Sequence, residues 1–143
     1  MQPLTKGPLV MRLPTNVDLW LDGGHNEAAG AQIAKSFQDW DETDPKPTYL
    51  ICGMLNTKDQ LSFFRKLEPL IHMGITVPIP GEAATTSAEE LAEIGNAAGI
   101  DLKPAPSIEE ALDMLIPRLA GQPCRLLIAG SLYLAGQILR QNA

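Results

Sequence analysis

Residues 17–26 of the chain read VDLWLDGGHN, an apolar run that ends in a polar turn with two adjacent glycines. The run Val17–Leu21 is typical of a buried strand. Ala29, Ile33 and Phe37 then recur at a spacing that places them on one face of a helix. A strand that leads directly into a helix is the first half of a βαβ unit. This stretch therefore predicts an α/β fold built on a parallel sheet.

The same order of strand and helix recurs along the rest of the chain. Four further strands are predicted by short apolar runs, at Tyr49–Cys52, Ile75–Ile79, Ile100–Lys103 and Arg125–Ala129. Residues 7–13 allow one more strand at an edge of the sheet. We therefore predict a single domain over residues 1–143. It is expected to be a three-layer Rossmann-like α/β domain with a mostly parallel sheet of about five to six strands and helices on both faces.

Local signals mark the helix ends. Three predicted helices begin with a capping box, namely Thr57–Gln60, Ser87–Glu90 and Ser107–Glu110. The first of these helices is expected to continue through Ile71, with Pro69 ending or kinking it and His72 near its end. Gly99 is placed to end the second helix in a left-handed conformation. The acidic stretch 39–44 is expected to be a solvated loop between a helix and a strand.

Composition excludes several classes of protein. The net charge of −6 argues against nucleic acid or an anionic membrane as partner, because both would repel the chain. The longest apolar stretch, Leu126–Leu139, is shorter than the roughly 20 residues of a membrane span. Residues 1–6 lack the apolar core of a signal peptide. Cys52 and Cys124 lie in or beside apolar runs and are expected to be free buried thiols of a cytoplasmic protein.

The predicted topology indicates where a ligand would bind. In open α/β sheets, ligands bind beyond the carboxyl ends of the strands, where the strand-to-helix turns lie together. Those turns are Asp22–Asn26, Gly53–Lys58, Pro80–Thr86, Pro104–Pro106 and Gly130–Ser131.

The first turn carries the richest chemistry. Gly23 and Gly24 permit a tight turn and close approach of a ligand to the backbone. A helix that starts near Asn26 offers free N–H groups to an anion or phosphate oxygen. Asp22 can accept hydrogen bonds from ribose hydroxyls, although in dinucleotide folds that carboxylate usually comes from another strand. The alternative is that Asn26 only caps the helix and Asp22 only caps the turn.

Other polar residues near this edge leave several alternatives open. Asp22 and His25 are two possible metal ligands, but His72 is the only other histidine, so no protein-built metal site is predicted. Ser131 does not fit the Gly-x-Ser-x-Gly pattern of a hydrolase nucleophile. It either caps the last helix, Leu132–Arg140, or offers its hydroxyl and backbone N–H to a substrate carboxylate. A Walker-type phosphate loop is absent from the sequence.

Three segments in order resemble the bifunctional folylpolyglutamate synthase/dihydrofolate synthase family. Residues 19–26, LWLDGGHN, resemble that family's Asp-Gly-Ala-His-Asn-Pro signature. Residues 50–59, LICGMLNTKD, resemble its hydrophobic-Gly-Met-Leu-x-x-Lys-Asp segment. Residues 126–136, LLIAGSLYLAG, resemble its Thr/Ala-Gly-Ser-Leu-Tyr-Leu segment. Residues 1–9 also look like the family's entry into its C-terminal domain.

This resemblance implies the C-terminal, Mur-ligase-like domain of an ATP-dependent ligase. Such an enzyme adds L-glutamate to dihydropteroate or folates through an acyl phosphate. ATP and Mg²⁺ would be bound mainly by an N-terminal P-loop ATPase domain, which is missing from this chain and would be its partner in the same polypeptide. The chain alone is then expected to be inactive, and Met1 to be an internal residue of the parent.

The resemblance also implies roles for the turn residues. Asp22, with the turn Gly23, Gly24 and Asn26, would contact the nucleotide. Catalysis and glutamate binding would fall to His25 and Ser131, and Lys58 would be a further substrate-binding residue. Glu27 stands where the family has proline, and Gly24 where it has alanine. A different class also stays open: a stand-alone Rossmann-like module that binds a small molecule or regulates a partner without catalysis.

Overall fold

A computed structural model describes residues 1–56 and 59–143. The strands of this described part are β1 (Gln2–Leu4), β2 (Val17–Leu21), β3 (Thr48–Cys52), β4 (Ile71–Thr76), β5 (Leu102–Pro104) and β6 (Cys124–Ala129). Its helices are α1 (Pro8–Arg12), α2 (Glu27–Thr43), α3 (Gln60–Leu67), α4 (Ala88–Ala97), α5 (Ile108–Leu119) and α6 (Leu132–Gln141).

The strands form one mixed sheet in the order β1-β2-β6-β3-β4-β5. β1 pairs with β2 antiparallel, and every other neighbouring pair is parallel. The central strand β6 is buried along its whole length, as expected for a strand covered on both faces. The predicted Rossmann-like α/β class with a mostly parallel sheet is confirmed.

Helices cover both faces of this sheet. The core on one face contains buried residues of α2, α3 and α4, and the core on the other contains residues of α1, α5 and α6. Alternate strand residues supply the two cores, as Leu126 and Ile128 on one face and Leu127 and Ala129 on the other illustrate. The helices switch to the other face of the sheet where the chain reverses its direction across it, because crossovers between parallel strands are right-handed.

Two predicted strands lie elsewhere than expected. The third runs from Ile71 to Thr76 rather than from Ile75 to Ile79, and α3 ends at Leu67. Pro69 cannot continue a helix, so the chain is already extended at Ile71. His72 therefore lies exposed on β4 and not at a helix end. The fourth strand is shifted by two residues, to Leu102–Pro104.

The first residues also depart from the prediction. The edge strand is Gln2–Leu4, and residues 8–12 of the expected strand form α1 instead. Pro8 suits the first turn of a helix because its missing N–H needs no partner there. Asn142 Oδ1 accepts hydrogen bonds from the N–H groups of Leu9 (2.9 Å) and Val10 (3.3 Å). This cap comes from the far end of the chain.

The acidic stretch 39–44 is not a solvated loop. α2 extends to Thr43, so most of the stretch is helical. The carboxylate of Asp41 is bonded to the buried guanidinium of Arg125, and the Asp44 carbonyl accepts a 2.7 Å bond from the same group. The expected loop is wrong because charge composition cannot show a distant partner.

The predicted helix caps are largely confirmed. Ser87 Oγ accepts from the Glu90 N–H at 3.1 Å, and Ser107 Oγ accepts from the Glu110 N–H at 3.2 Å. Gly99 has a φ of 98°, as expected after a helix end. Of the capping box predicted at Thr57–Gln60, Thr57 lies outside the described residues. Gln60 is the first residue of α3 rather than the third, so it does not close such a box.

Candidate functional site

The predicted site lies beside the central strand β6. The helices that follow β2 and β3 cover one face of the sheet, whereas the helix that follows β6 covers the other. The turns after these strands therefore diverge and leave a crevice at the carboxyl ends, as at the switch points of other α/β sheets. The strand ends are level there, since Asp22 N donates to Ile128 O at 3.0 Å and Gly53 N donates to Ala129 O at 3.3 Å.

The turn after β2 is held by its own side chains. Asp22 Oδ1 accepts a 2.6 Å hydrogen bond from Gly24 N, and Asn26 Oδ1 caps α2 by accepting from Ala29 N at 2.9 Å. Both capping interpretations are thus confirmed. Asp22 Oδ2 lies 3.4 Å from the amino group of Met1. The Asp22 side chain is 18% exposed and able to accept from a ligand.

Gly23 and Gly24 make this turn compact. A Cβ at Gly24 would lie 2.8 Å from Asp22 Oδ1, and a Cβ at Gly23 would collide with the side chain of Leu132. The turn after β2 therefore packs directly against the first residue of α6. This contact joins the two predicted halves of the site.

The turn after β6 depends on a glycine and a serine. Gly130 has a φ of 117°, and a Cβ there would lie 2.6 Å from Gly53 O. Ser131 is buried and caps α6, its Oγ accepting from Tyr133 N at 3.0 Å. The cap interpretation is confirmed, and a hydroxyl that accepts one bond still has its own proton to donate.

A small cleft of about 110 Å³ opens between these turns. It is lined by His25, Leu55, Gly130, Ser131, Leu132 and Tyr133. His25 is exposed at its rim, and Leu132 and Tyr133 are 73% and 55% exposed. The cleft is mainly apolar, with the His25 imidazole at its rim and the buried Ser131 hydroxyl beside the N-terminus of α6.

A second cleft, of about 360 Å³, lies on the other side of Leu132. Asp22 and Gly23 line it together with apolar residues of α6, including Gly136 and Leu139. The structure thus brings six of the predicted site residues to one edge of the sheet: Asp22, Gly23, Gly24, His25, Asn26 and Ser131. Lys58 lies outside the described residues.

Sequence reasoning missed three residues of the cleft, Leu55, Leu132 and Tyr133. Two of these apolar side chains follow Ser131 directly and are exposed although they are large. Their place immediately after the glycine and serine of a strand-to-helix turn was the available signal. Over residues 1–56 and 59–143, no group of three or more His, Cys, Asp or Glu side chains is placed to hold a metal ion.

None of the helices in the described part of the chain is both long and apolar enough to cross a membrane. Both cysteines, Cys52 and Cys124, are buried and free, as predicted. Burial raises the pKa of the Cys52 thiol well above its ordinary value. A thiol with a raised pKa stays neutral and unreactive, so Cys52 is a packing residue beneath the site.

Solved structures that are similar to this chain include FolC and folylpolyglutamate synthases. The chain is similar to Escherichia coli FolC in complex with DHPP and ADP (TM-score 0.76, 19% identity, 97% of this chain and 30% of that one). It is also similar to Mycobacterium tuberculosis folylpolyglutamate synthase complexed with ADP and AMPPCP (0.74, 19%, 86% and 29%). A third match is bifunctional folylpolyglutamate synthase/dihydrofolate synthase from Yersinia pestis complexed with AMPPNP and Mn (0.74, 19%, 97% and 30%).

These matches confirm the resemblance at the level of the fold. The chain spans about 30% of the length of the enzymes it resembles. No protein-family model matches the sequence, and no curated protein matches it.

Proposed function

We propose that this chain is the C-terminal domain of an ATP-dependent ligase of the folylpolyglutamate synthase/dihydrofolate synthase type. In this proposal the parent adds L-glutamate to dihydropteroate or folates. The observation that carries it is the meeting of two polar turns, Asp22–Asn26 and Gly130–Ser131, on either side of the crevice beside β6. The same residues carry two of the motif resemblances, and the fold is that of part of these enzymes.

The turn after β2 suits a nucleotide. Asp22 Oδ2 would accept hydrogen bonds from ribose hydroxyls. The N-terminus of α2 at Asn26 would favour phosphate oxygens. Gly23 and Gly24 have no side chains, so a ligand can approach the backbone of this turn closely. The neighbouring cleft, about 360 Å³ with an apolar wall from α6, has room for part of such a ligand.

The cleft beside Ser131 suits the glutamate and acyl-phosphate side of the reaction. ATP would supply the phosphoryl group that activates the acceptor carboxylate. In this proposal His25, the Ser131 hydroxyl and the N–H groups of α6 would stabilise negative charge on an oxygen at this cleft. Lys58 would add a cation to the same edge. These roles make His25 and Ser131 the catalytic residues of the proposal.

The remaining machinery would come from elsewhere in the parent. A P-loop ATPase domain N-terminal to this chain would hold most of the nucleotide and the Mg²⁺ ligands. It would be the partner of the edge that carries Asp22 and His25. The chain alone is then expected to catalyse no ligation, and the parent would act in the cytoplasm without nucleic acid or membrane as a partner.

The test is ATP-dependent incorporation of labelled glutamate by a protein that carries this chain behind its ATPase domain. Dihydropteroate and tetrahydrofolate are compared as acceptors. Asp22→Ala should lower kcat/KM by roughly 10- to 100-fold, because it removes hydrogen bonds to a charged acceptor. Asp18→Ala is the matched control, since Asp18 lies near the start of β2, at the opposite edge of the sheet from Asp22, and bonds to Lys46.

Two results would contradict the proposal. Ligation by the 143-residue chain alone would show that no further domain is needed. Binding of a small molecule at the crevice, with no ligation from the longer protein, would favour the non-catalytic module instead.

A further inference from the structure

We propose that Gln60 is a positioning residue of this site, which holds Leu55 in place as a wall of the small cleft. The inference rests on the proposed function, because it concerns the substrate cleft of that ligase. It names a residue outside the three motif segments. Gln60 touches no ligand in this account and acts through the backbone it holds.

The contacts of Gln60 are buried and specific. Its Nε2 donates to Leu55 O at 2.9 Å and to Thr86 Oγ1 at 2.6 Å. Gln60 is 5% exposed and Thr86 is 3% exposed. Buried polar groups of this kind are costly to leave without a partner, so the arrangement favours one geometry over looser ones. We call the Gln60–Leu55–Thr86 arrangement the amide clasp.

The clasp joins two loops at the carboxyl edge of the sheet. Thr86 N donates to Met54 O at 3.0 Å, and Asn56 N donates to Ala84 O at 2.8 Å. Leu55 and Thr85 form an antiparallel bridge between the same loops. The turn after β3 is thereby paired to the loop after β4, and Gln60 closes the pairing from the side of α3.

The clasp acts on the cleft through Leu55. This residue lines the cleft together with His25 and Ser131, and its carbonyl accepts the hydrogen bond from Gln60. A wall fixed by a buried hydrogen bond keeps the cleft narrow before a ligand arrives. Preorganisation of that kind lowers the ordering cost of binding. Loss of the clasp should therefore weaken substrate binding more than it slows the chemical step.

The first experiment measures amide hydrogen exchange in the 143-residue chain. Thr86→Val removes the hydroxyl acceptor and keeps the side-chain shape, and Thr86→Ser keeps the hydroxyl. Exchange of the Asn56 and Thr86 amides should become at least tenfold faster in the valine variant and stay near wild type in the serine variant. The amide of Gly74 in β4, bonded to the carbonyl of Asp101 just before β5, is the internal control.

The second experiment measures glutamate ligation by the longer protein. Gln60→Met and Thr86→Val should each raise KM for glutamate at least fivefold while kcat changes less than twofold, and Thr86→Ser should restore KM. An unchanged KM in both variants would overturn the positioning role. So would unchanged exchange at Asn56 in the valine variant.

The proposed ligase function and the positioning role of Gln60 can fail separately. A wild-type longer protein without ligase activity would overturn the proposed function, and the positioning role in that reaction would fall with it. An active wild type whose clasp variants keep their KM would overturn only the inference about Gln60.

Discussion

The two edges of the sheet use polar residues in opposite ways. At the amino edge the charges are bonded to one another: Lys46 Nζ lies 2.7 Å from Asp18 and 3.0 Å from Asp44, and Arg125 is bonded to Asp41. At the carboxyl edge Asp22, Asn26 and Ser131 hold the turns, and the side chain of His25 is exposed to a ligand.

Arg125 shows what the amino edge does. Its side chain is 4% exposed, and its guanidinium lies 5.9 Å and 5.8 Å from the ring centres of Phe37 and Trp40. It donates to Asp41 and to the Asp44 carbonyl. These contacts fasten the end of α2 to the central strand, so the charges of this edge stabilise the fold.

Charged residues that stabilise the fold differ from those that bind a ligand in where their partners lie. A charge whose partners are all within the protein contributes to stability, whereas a polar group left half-open at a switch point is available to a ligand. Substitutions at the amino edge should therefore lower the free energy of unfolding. Side-chain substitutions at the carboxyl edge should mainly lower binding.

The largest expected effect is at Arg125. Arg125→Ala should lower the free energy of unfolding by about 3 kcal/mol, because it leaves the Asp41 carboxylate without its buried partner and removes two cation–π contacts. Urea denaturation measures the loss. The control is Lys35→Ala, which breaks an exposed pair with Asp39 and should change stability by less than about 0.5 kcal/mol. Equal effects at the two positions would contradict the stabilising role of Arg125.

A glycine substitution tests how closely the turns after β3 and β6 approach each other at the carboxyl edge. Gly130→Ala should cost about 2–3 kcal/mol, because alanine is strained at a φ of 117° and its Cβ would press on Gly53 O. Gly136→Ala is the matched control within α6, where the added Cβ meets only Arg140 Nη1 at 3.5 Å. That variant should be more stable than wild type by about 0.5–1 kcal/mol. A neutral Gly130→Ala would contradict the close approach of the two turns.

A smaller effect is expected from pH. Burial raises the pKa of the Cys52 thiol, so it stays neutral in the folded chain, whereas an unfolded thiol ionises above about pH 8.5. Its stabilising contribution is complete below that pH and declines as the pH rises. Between pH 7.5 and 9.5 the free energy of unfolding should fall by about 1.4 kcal/mol on account of Cys52.

Cys52→Ala isolates this term. Denaturation at the two pH values should show a loss smaller than that of wild type by the same amount. Cys124, whose pKa is also raised by burial, contributes to the loss that remains. The hydrogen bond to Asp18, and then that to Asp44, raises the pKa of Lys46 above 10.5, so its contribution is lost only at higher pH. Identical pH profiles for wild type and variant would contradict the burial of Cys52 in the folded chain.

Local chemistry explains which parts of the fold were predictable. The bounds of β2 and β3 followed from apolar runs next to glycines or proline, and the caps at Ser87, Ser107 and Ser131 followed from residues three or fewer apart. The third strand was misplaced because the apolar spacing through Ile71 fits both a helix and an alternating strand.

Long-range contacts explain the rest. Arg125 and Asp41 are 84 residues apart, and Asn142 caps α1 across more than 130 residues. The amide clasp joins Gln60 to Thr86 across 26 residues. A local pattern contains no trace of such partners. The site turns were predictable because one rule places them all at the carboxyl edge, whereas the bonds from Gln60 to Leu55 and Thr86 depend on the pairing of two loops.

The most direct test of the central claim is an NMR titration, with ADP and with L-glutamate, of the longer protein in which only this chain is ¹⁵N-labelled by segmental ligation. ADP should shift the amides of residues 22–26, and glutamate should shift those of residues 130–133. The indole signals of Trp20 and Trp40, which stack at the amino edge, should stay in place. Saturable shifts confined to those tryptophans, or no shift at the carboxyl edge with either ligand, would contradict it.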